Sequence, residues 1–497
     1  MTPKQKPARV RFAPSPTGFL HIGGARTALY DYLLAKQTGG SFILRIEDTD
    51  QKRYQQSAET DFKEALNWLG LDPDEGPDQG GPFAPYRQSK RKKIYQDHAD
   101  QLIKKGNAYY CFCTPERINQ VREEQIKLNE TPHYDGTCRD IPLDQAVQRV
   151  QDGESYVIRF KSPKTGKTTM KDLLRGEITV ENSNLDDMIL IKSNGLAVYH
   201  LAAMVDDHLM GVTHVIRGSE WLPTFPIHKL IFQALGWQEP VWVHLSIFLK
   251  PDGKGKMSKR DTELAQEQGL PIFVKDMEEL GYLPEAVINW IALMGWSYDD
   301  KTEFFTLDNL ISKFSLEKLN PSPAAINFSK LDHFNGLHIR NLALEDFAAR
   351  ISPWFKKAGF SPEKNKLLQV AGAIQTRTKK LTEVVDMAGF FFQDEVGLEV
   401  GRIITDKMSA GQAVEVGQRI LTLFQDLPEI TQETAEISLR EIAGELNLKA
   451  GQVFGLLREV LAGQKISPPI FDIIPILGRD TVLTRLEEAV ETFQNLK

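Results

Sequence analysis

The chain has 497 residues, of which 41% are hydrophobic and 26% are charged, the balance of a folded globular protein. At about 100–200 residues per domain, this length predicts three to five structural units. No apolar run reaches the roughly 20 residues that a membrane-spanning helix requires, and the first ten residues lack the apolar segment of a secretory signal. Three cysteines are too few for a disulfide framework, so we expect a reducing compartment, the cytoplasm.

The net charge of −7 gives no overall surplus for binding phosphates and weighs against a nucleic-acid partner. Only a local patch could reverse this, and the run RQSKRKK at positions 87–93 is a candidate. The alternative for this run is a solvated helix face.

The first 110 residues alternate between strand and helix patterns. We predict a strand at 9–12, a helix at 25–37, a strand at 41–46 and a second helix that begins with Ser57 as its N-cap and ends at Gly70. A strand–helix–strand unit of this kind predicts a parallel sheet with a right-handed crossover.

The pattern changes between 109 and 186, where short strands and a charged helix near 115–128 indicate an insertion. From 187 the α/β pattern returns, and the apolar segments on either side of Asn194-Gly195 predict a hairpin. A strand at 213–216, a helix at 226–235 and a strand at 241–245 follow. Beyond about 263 the apolar residues recur at helical spacing, which predicts a helical assembly.

The stretch RFAPSPTGFLHIGG at 11–24 joins the first strand to the first helix. In parallel sheets, ligands bind outside the carboxyl ends of strands, where a helix N-terminus favours phosphate. Gly18, Gly23 and Gly24 allow close approach of backbone to a ligand, and Thr17 and His21 can donate to phosphate oxygens. The alternative is a rigid turn with a structural histidine.

A second motif, GKGKMSKR, occupies 253–260. Its glycines allow the loop to close, and its lysines could stabilise charge on a leaving pyrophosphate. It lacks the spacing of a P-loop, and a solvated basic loop is the alternative.

Taken together, APSPTGFLHIG near the N-terminus and KMSKR far downstream resemble the paired signatures of the class I aminoacyl-tRNA synthetases. The longer strings FAPSPTGFLHIGGARTALYDYLLA, LRIEDTD, WLGLDPDEGP, VDDHLMGVTHVIRG and YLPEAVINWIALMGW resemble the glutamyl-tRNA synthetase family. The likeness is close from Arg9 to Gly336 and looser beyond. One departure is Gly24, where the class usually has a histidine, so one phosphate contact must come from elsewhere.

The resemblance implies an α/β fold: a Rossmann-like parallel-sheet catalytic domain with an α+β acceptor-binding insertion, followed by an all-α anticodon-binding region. The implied boundaries are 1–108 and 187–262 for the two catalytic halves, 109–186 for the acceptor-stem insertion, 263–336 for a helical stem-contact domain and 337–497 for the anticodon-binding domain.

The implied reaction uses ATP and Mg²⁺ to activate L-glutamate and then transfers it to the 3′ end of tRNA(Glu). Carried over residue by residue, the catalytic group comprises Thr17, His21, Lys256 and Lys259. The ATP-binding group comprises Gly18, His21, Gly23, Gly24, Glu220, Trp221 and Lys259. The glutamate-binding group comprises Arg11, Ser15, Glu47, Tyr199 and Arg217.

All three cysteines fall in the insertion and resemble the zinc site of some family members. Cys111 and Cys113 alternate along a strand-like segment and would face one side, with Cys138 the third ligand. A structural zinc needs four ligands, and Tyr134 or Asp140 could supply the fourth. Three reduced structural thiols are the alternative.

Several related functions compete with this interpretation. Glutaminyl-tRNA synthetase shares the catalytic fold, but its C-terminal region has β-barrels, whereas the pattern of this chain predicts helices there. A truncated paralogue lacks the C-terminal half. A small-molecule adenylyltransferase could share the nucleotide-binding loop, and a non-catalytic tRNA-binding protein could retain a relic of the site. The sequence leaves open whether tRNA(Gln) is also charged. Arg377 is a candidate for reading the anticodon, with an ordinary surface residue as the alternative, and the family likeness implies a monomer with no membrane partner.

Overall fold

The computed structural model describes residues 6–255, 269–405, 408–464 and 467–496. Lys256 and Lys259 of the KMSKR motif lie outside these ranges. The chain divides into two compact units, the first comprising Met1–Glu278 and Val287–Phe328, the second Glu279–Ala286 and Ser329–Lys497.

The first unit begins with the predicted parallel strand–helix–strand arrangement. β1 (Arg9–Phe12) pairs in parallel with β2 (Ser41–Leu44), and α1 (Ile22–Thr38) connects them. Buried residues of α1 such as Ala25, Leu29 and Leu33 recur at helical spacing, which turns one apolar face to the core. Gly39 ends the helix in the left-handed conformation at φ 68°.

The remaining elements of the first unit follow in chain order. Its helices are α2 (Gln56–Trp68), α3 (Lys92–Lys104), α4 (Pro115–Lys127), α5 (Leu143–Gln151), α6 (Tyr199–Leu209), α7 (Phe225–Leu235), α8 (Val274–Glu279), α9 (Pro284–Ala292, which crosses the unit boundary) and α10 (Leu307–Lys313). Its strands are β3 (Ala108–Cys111), β4 (Val157–Phe160), β5 (Lys167–Asp172), β6 (Gly176–Glu181), β7 (Ile189–Ile191), β8 (His214–Gly218), β9 (Val241–Leu245), β10 (Phe248–Leu249) and β11 (Ala324–Ala325).

Parallel pairing extends beyond β1 and β2. One sheet has the order β6-β5-β9-β8, in which β8 and β9 are parallel and Arg217 lies opposite His244. The amide of Thr213 donates to the carbonyl of Arg9 at 2.9 Å, which brings the start of β8 beside β1. Because the carboxyl ends of β1 and β8 lie at the same edge, the residues after both strands can share one site.

Strands β3 and β4 form a separate antiparallel sheet with β7, which follows the insertion, and helices α4 and α5 lie within the insertion. The predicted hairpin at Asn194-Gly195 is only partly correct. A single bridge joins Ile191 to Ala197, and the second apolar segment then continues as helix α6 instead of a strand. In that segment Leu201, Ala202 and Val205 recur at helical spacing and are buried, so core packing favours the helix.

The predicted N-cap at Ser57 is also wrong. Helix α2 begins at Gln56, so Ser57 lies inside its first turn, and Gln55 takes the cap position without a side-chain hydrogen bond. The carboxylate of Glu59 in the same turn is stabilised by the positive end of the helix dipole.

The second unit consists of helices packed around one apolar core that includes Ile339, Phe347, Phe355, Phe424 and Leu457. The helices are α11 (Phe328–Asn341), α12 (Leu344–Lys357), α13 (Lys364–Ile374), α14 (Val384–Ala388), α15 (Val400–Ile403), α16 (Ala410–Asp426), α17 (Gln432–Glu445), α18 (Ala450–Ala462), α19 (Ile470–Leu477) and α20 (Arg479–Gln494). Within the described part of 329–496 the only β pairing is an isolated bridge between Thr405 and Met408.

Candidate active site

The loop between β1 and α1 is organised around His21. This residue is the N-cap of α1, and its Nδ1 accepts hydrogen bonds from the amides of Gly23 at 3.0 Å and Gly24 at 3.2 Å. The ring is exposed on one side but surrounded by protein on the others, and this desolvation lowers its pKa below the ordinary value. Since Nδ1 accepts, the neutral ring carries its proton on Nε2, which is available to donate to a ligand.

Two glycines lie close to this cap. A Cβ at Gly23 would lie 2.8 Å from the His21 ring, and one at Gly24 would lie 2.8 Å from the end of the Leu20 side chain. Both predicted ATP-binding glycines donate their amides to the histidine, and the absence of a side chain at Gly23 leaves room for its ring. Nothing lies within 4 Å of a Cβ at Gly18, which is exposed and open to a ligand.

The segment after β8 reaches the same place. Glu220 acts electrostatically on His21, and a Cβ at Gly218 would meet the Glu220 carboxylate at 2.1 Å, so the backbone passes tightly beneath that side chain. Trp221 stacks on Tyr199 with ring centroids 3.8 Å apart. The structure thus brings four of the predicted residues, from three elements, to the edge where β1 and β8 end.

Arg217 lies at the carboxyl end of β8 and is 4% exposed. Its guanidinium donates to the Tyr199 hydroxyl at 3.3 Å, and its Cζ atom lies 5.0 Å from the centroid of the Trp242 ring. Desolvation by burial lowers the pKa of Arg217. A buried cation in this position favours an anionic ligand.

Arg11 and Glu47 belong to a neighbouring network of buried charges. Arg11 Nε and Arg45 Nη1 donate to the same Asp207 oxygen at 2.9 and 2.7 Å, and Arg45 Nη2 donates to Glu47 at 3.0 Å. Burial raises the pKa of Glu47 to about 7. Glu47 can therefore change charge near neutral pH and is suited to meet a cationic group.

The remaining predicted residues of the loop lie nearby without a hydrogen bond to these arginines. Ser15 and Thr17 form a tight turn, in which the Thr17 amide donates to the Ser15 carbonyl at 2.8 Å. The Glu47 amide donates to the Pro14 carbonyl at 3.0 Å, which ties the loop to the segment after β2.

Sequence reasoning missed the residues that support these side chains: Asp31, Arg45, Asp172, Asp207, His200, His228 and His244. Two adjacent acids at 206–207 within an otherwise apolar helix were a usable signal, because a carboxylate is rarely buried without a partner. The histidines lie on apolar segments and gave no comparable signal.

The basic run at 87–93 is divided by the fold. Arg91 is 4% exposed and donates to Asp206 at 2.7 Å, and Arg87 forms a two-bond ion pair with Glu59. Lys90, Lys92 and Lys93 are exposed. Of these lysines, Lys92 donates to the carbonyl of Asn194 at 2.9 Å and Lys93 pairs with Asp97 on its own helix.

The three cysteines meet in the insertion, with their Sγ atoms all within 4.8 Å of one another. Cys113 and Cys138 are 3.6 Å apart, and the Tyr134 hydroxyl lies 3.3 Å from Cys111 and 3.5 Å from Cys113. In tetrahedral zinc sites, with Zn–S about 2.3 Å and Zn–O about 2.0 Å, two sulfurs lie about 3.8 Å apart and sulfur and oxygen about 3.5 Å apart. The three separations of 3.3, 3.5 and 3.6 Å are close to these values.

Asp140 does not join the cluster in this structure. Its side chain is 84% exposed and pairs with Lys161 at 3.1 Å. The Thr137–Asp140 turn carries it away, and the Tyr134 hydroxyl, which accepts from the Cys138 amide at 2.9 Å, occupies the position beside the thiols. A hydrogen bond from Cys111 lowers the pKa of the Cys138 thiol to about 6.

Comparison with known proteins identifies the class. Residues 7–333 match the family described as tRNA synthetases class I (E and Q), catalytic domain, and residues 346–490 match the anticodon binding domain family. The two parts of the chain are thus a class I synthetase catalytic region and an anticodon-binding region, and the fold class predicted from the sequence is confirmed.

The full-length relatives define the family. A glutamate–tRNA ligase of Dehalococcoides mccartyi strain CBDB1 is 41% identical over 487 residues, 97% of each chain, and one of Chloroflexus aurantiacus is 42% identical over 510 residues, covering each chain completely. A crystal structure of a glutamate tRNA ligase from Elizabethkingia meningosepticum, in complex with its amino acid, superposes with a TM-score of 0.90 at 36% identity, covering 98% of this chain and 100% of that one. The chain belongs to the glutamate–tRNA ligase family, and the resemblance read from its motifs is confirmed.

No helix in the described ranges combines the length and apolar character needed to cross a membrane.

Proposed function

We propose that this chain uses ATP to activate L-glutamate as glutamyl-adenylate and transfers the glutamyl group to the 3′ end of tRNA(Glu) for translation. The observation that carries the proposal is that two buried arginines, Arg11 and Arg217, lie with the Glu47 carboxyl and the helix-capping His21 at the edge where β1 and β8 end. A dicarboxylic amino acid needs cations for both carboxylates and an acid for its ammonium group.

In this pocket Arg11 and Arg217 bind the substrate carboxylates, Glu47 faces the ammonium group, and Ser15 and Tyr199 donate further hydrogen bonds. Arginine suits this role because its planar fork makes charge-assisted contacts to carboxylate. Glutamine is rejected because its neutral amide would leave a desolvated guanidinium without an anion, at a cost on the order of 2–5 kcal/mol.

The ATP substrate lies along the β1–α1 loop, next to the pocket. His21 donates from Nε2 to a phosphate oxygen, Thr17 and Gly18 border the phosphates, and Glu220 and Trp221 lie beside the nucleoside. Lys256 and Lys259, outside the described residues, stabilise the leaving pyrophosphate. Mg²⁺ enters with ATP and offsets phosphate charge, so the protein acts mainly by positioning reactants and stabilising charge.

Two transfers follow from this placement, first of the adenylyl group and then of the glutamyl group. The substrate α-carboxylate oxygen attacks the α-phosphorus, the bond to the pyrophosphate oxygen breaks, and pyrophosphate leaves. The terminal ribose hydroxyl of tRNA then attacks the carbonyl carbon of the adenylate, and AMP leaves. Holding both reacting groups in one cleft removes most of the entropic cost of each step.

We further propose that Cys111, Cys113, Tyr134 and Cys138 hold a structural zinc ion in the 109–186 insertion, which contacts the tRNA acceptor end. The fit of their distances to a tetrahedral site supports it. Metal analysis of the purified chain should give one zinc per molecule, and Cys138→Ser should lose it while Asp140→Asn keeps it. Zinc loss in Asp140→Asn would make Asp140 the fourth ligand in place of Tyr134, and no zinc in the unmodified chain would favour three reduced thiols.

The boundaries predicted from the sequence assign 1–108 and 187–262 to catalysis, 263–336 to the tRNA stem and 337–497 to the anticodon. Arg377, exposed after α13, remains a candidate for anticodon contact. We propose a cytoplasmic monomer. Whether tRNA(Gln) is also a substrate is tested by charging purified tRNA(Gln) with glutamate.

The main experiment is ATP–pyrophosphate exchange with the purified chain, tRNA and each of glutamate, glutamine and aspartate. We expect exchange that requires glutamate and is at least about 100-fold weaker with glutamine. Exchange that is absent with glutamate and tRNA present would favour a non-catalytic tRNA-binding protein. Exchange with glutamine at a similar rate would favour the glutaminyl branch.

A further inference from the structure

Two buried histidines hold the guanidinium of Arg217. Its Nε donates to His244 Nε2 at 2.9 Å, and its Nη2 donates to His228 Nδ1 at 3.0 Å. With Nη1 donating to Tyr199, three of its five N–H groups are used, and two remain for a ligand. Both histidines have 0% exposure, so water does not compete for these bonds.

The proton positions on both rings follow from the arginine. A guanidinium only donates, so His244 Nε2 and His228 Nδ1 must accept, and each ring is neutral. His244 then donates from Nδ1 to Asp172 at 2.7 Å, and His228 donates from Nε2 to His200 Nδ1 at 3.0 Å. Burial lowers the pKa of His228 well below its ordinary value, which agrees with the neutral form.

This support differs from that of Arg11 and Arg45, two other buried arginines of the unit. Arg11 and Arg45 donate directly to the same carboxylate, that of Asp207, at 2.9 and 2.7 Å, so each has an anion of the protein as a partner. Among the described residues, no carboxylate lies within ion-pair distance of Arg217. Neutral acceptors satisfy its N–H groups and fix its plane without cancelling its charge, and Asp172 is kept one imidazole ring away.

We propose that His228 and His244 are positioning residues that hold Arg217 in place and keep its positive charge available for a substrate carboxylate, so that they contribute to the preference for glutamate over glutamine. The inference rests on the proposed function. It requires that the acceptors be neutral as well as correctly placed, which a purely structural role would not require.

The test uses pairs of variants that differ only in charge. Asparagine places an oxygen near the His228 Nδ1 position and aspartate places a charged oxygen there, so His228→Asn is compared with His228→Asp. At the other ring, His244→Gln is compared with His244→Glu. The pair His208→Asn and His208→Asp is the control, because His208 lies on α6 but stacks on Trp237 instead of contacting Arg217.

The readouts are the KM values for glutamate and ATP in the tRNA-dependent exchange assay on the full chain, together with the glutamate-to-glutamine ratio of kcat/KM. We expect the amide variants to keep the glutamate KM within about threefold and the acid variants to raise it by about 30-fold or more, with the ATP KM unchanged. The glutamate-to-glutamine ratio should fall in the acid variants only. The His208 pair should show no charge effect.

Equal losses in the amide and acid variants would overturn the inference, because the histidines would then serve packing alone. If the acid variants do not fold, His200→Ala provides the test, because it removes the hydrogen-bond partner of His228 Nε2 and leaves the contacts of Arg217 in place. A glutamate KM raised several-fold with unchanged ATP KM supports the inference, and an unchanged glutamate KM overturns it. Failure of the unmodified chain to show glutamate-dependent exchange would instead refute the proposed function.

Discussion

The raised pKa of Glu47 predicts that glutamate binding weakens as the pH falls through neutrality. Glu47 is 5% exposed, and burial raises its pKa to about 7 although Arg45 Nη2 lies 3.0 Å away. Gln88 donates to it at 3.4 Å, and Arg11 and Asp207 act on it from further away. Only the ionised carboxylate can pair with the substrate ammonium group.

The size of the effect follows from the ionised fraction. With a pKa of about 7, roughly nine-tenths of the Glu47 side chains are ionised at pH 8 and roughly one-tenth at pH 6. The KM for glutamate should therefore rise about tenfold between pH 8 and pH 6. Burial lowers the pKa values of His21, His200, His228 and His244, which favours the neutral form of each ring.

The assay measures glutamate KM at half-unit steps between pH 6 and pH 8, with the ATP KM as an internal control. Glu47→Gln should have a high glutamate KM at every pH and no pH dependence, because the amide does not titrate. A tenfold KM rise that persists in Glu47→Gln would assign the titration to another group. A flat wild-type profile would refute the placement of Glu47 opposite the ammonium group.

Three further changes test separate parts of the molecule. Lys259→Ala should lower the rate of adenylate formation by far more than it raises the glutamate KM. Lys254→Ala, at an exposed neighbouring position, should change neither. Equal effects of Lys259→Ala on rate and KM would contradict the assigned role. Asp207→Asn leaves Arg11 and Arg45 without their shared carboxylate. Denaturant titration should show that it lowers the free energy of unfolding by about 3–5 kcal/mol. A loss below about 1 kcal/mol would contradict the buried ion network. Arg485 is 2% exposed and donates to the carbonyls of Phe390, Gln393 and Leu461, so Arg485→Met should cost at least about 2 kcal/mol. Arg440→Met removes an exposed pair with Glu436 and a contact of Cζ with the Phe454 ring at 5.4 Å, and it should cost less than about 1 kcal/mol. Similar melting temperatures for these two variants would refute the reasoning.

Elements with a strong local signal could be predicted from the sequence. The β1–α1–β2 unit follows from short apolar runs around a helix that ends at Gly39, and the structure has it in the predicted parallel form. The segment after Gly195 shows where local signals fail. Its apolar residues suit a strand or a helix, and contact with the core of the α/β unit decides for helix α6.

The chemistry of the site divides in the same way. Arg11 and Arg217 were found because each lies within a recognisable string of residues. Their partners Asp207 and His244 come from chain segments 196 and 27 residues away, and no local pattern links such pairs. Burial and pairing of charges depend on the completed fold, so a motif can indicate which side chains react but not what holds them.

The pairing of β8 with β9 has a consequence for how the pocket tolerates change. Arg217 and His244 contact each other because they are directly opposite in a parallel ladder whose interior is fully buried. A slip by one residue would turn either side chain to the opposite face of the sheet. Amino-acid selectivity therefore depends on strand alignment, and a substitution that loosens this ladder far from the ligand would weaken substrate discrimination before it unfolds the domain.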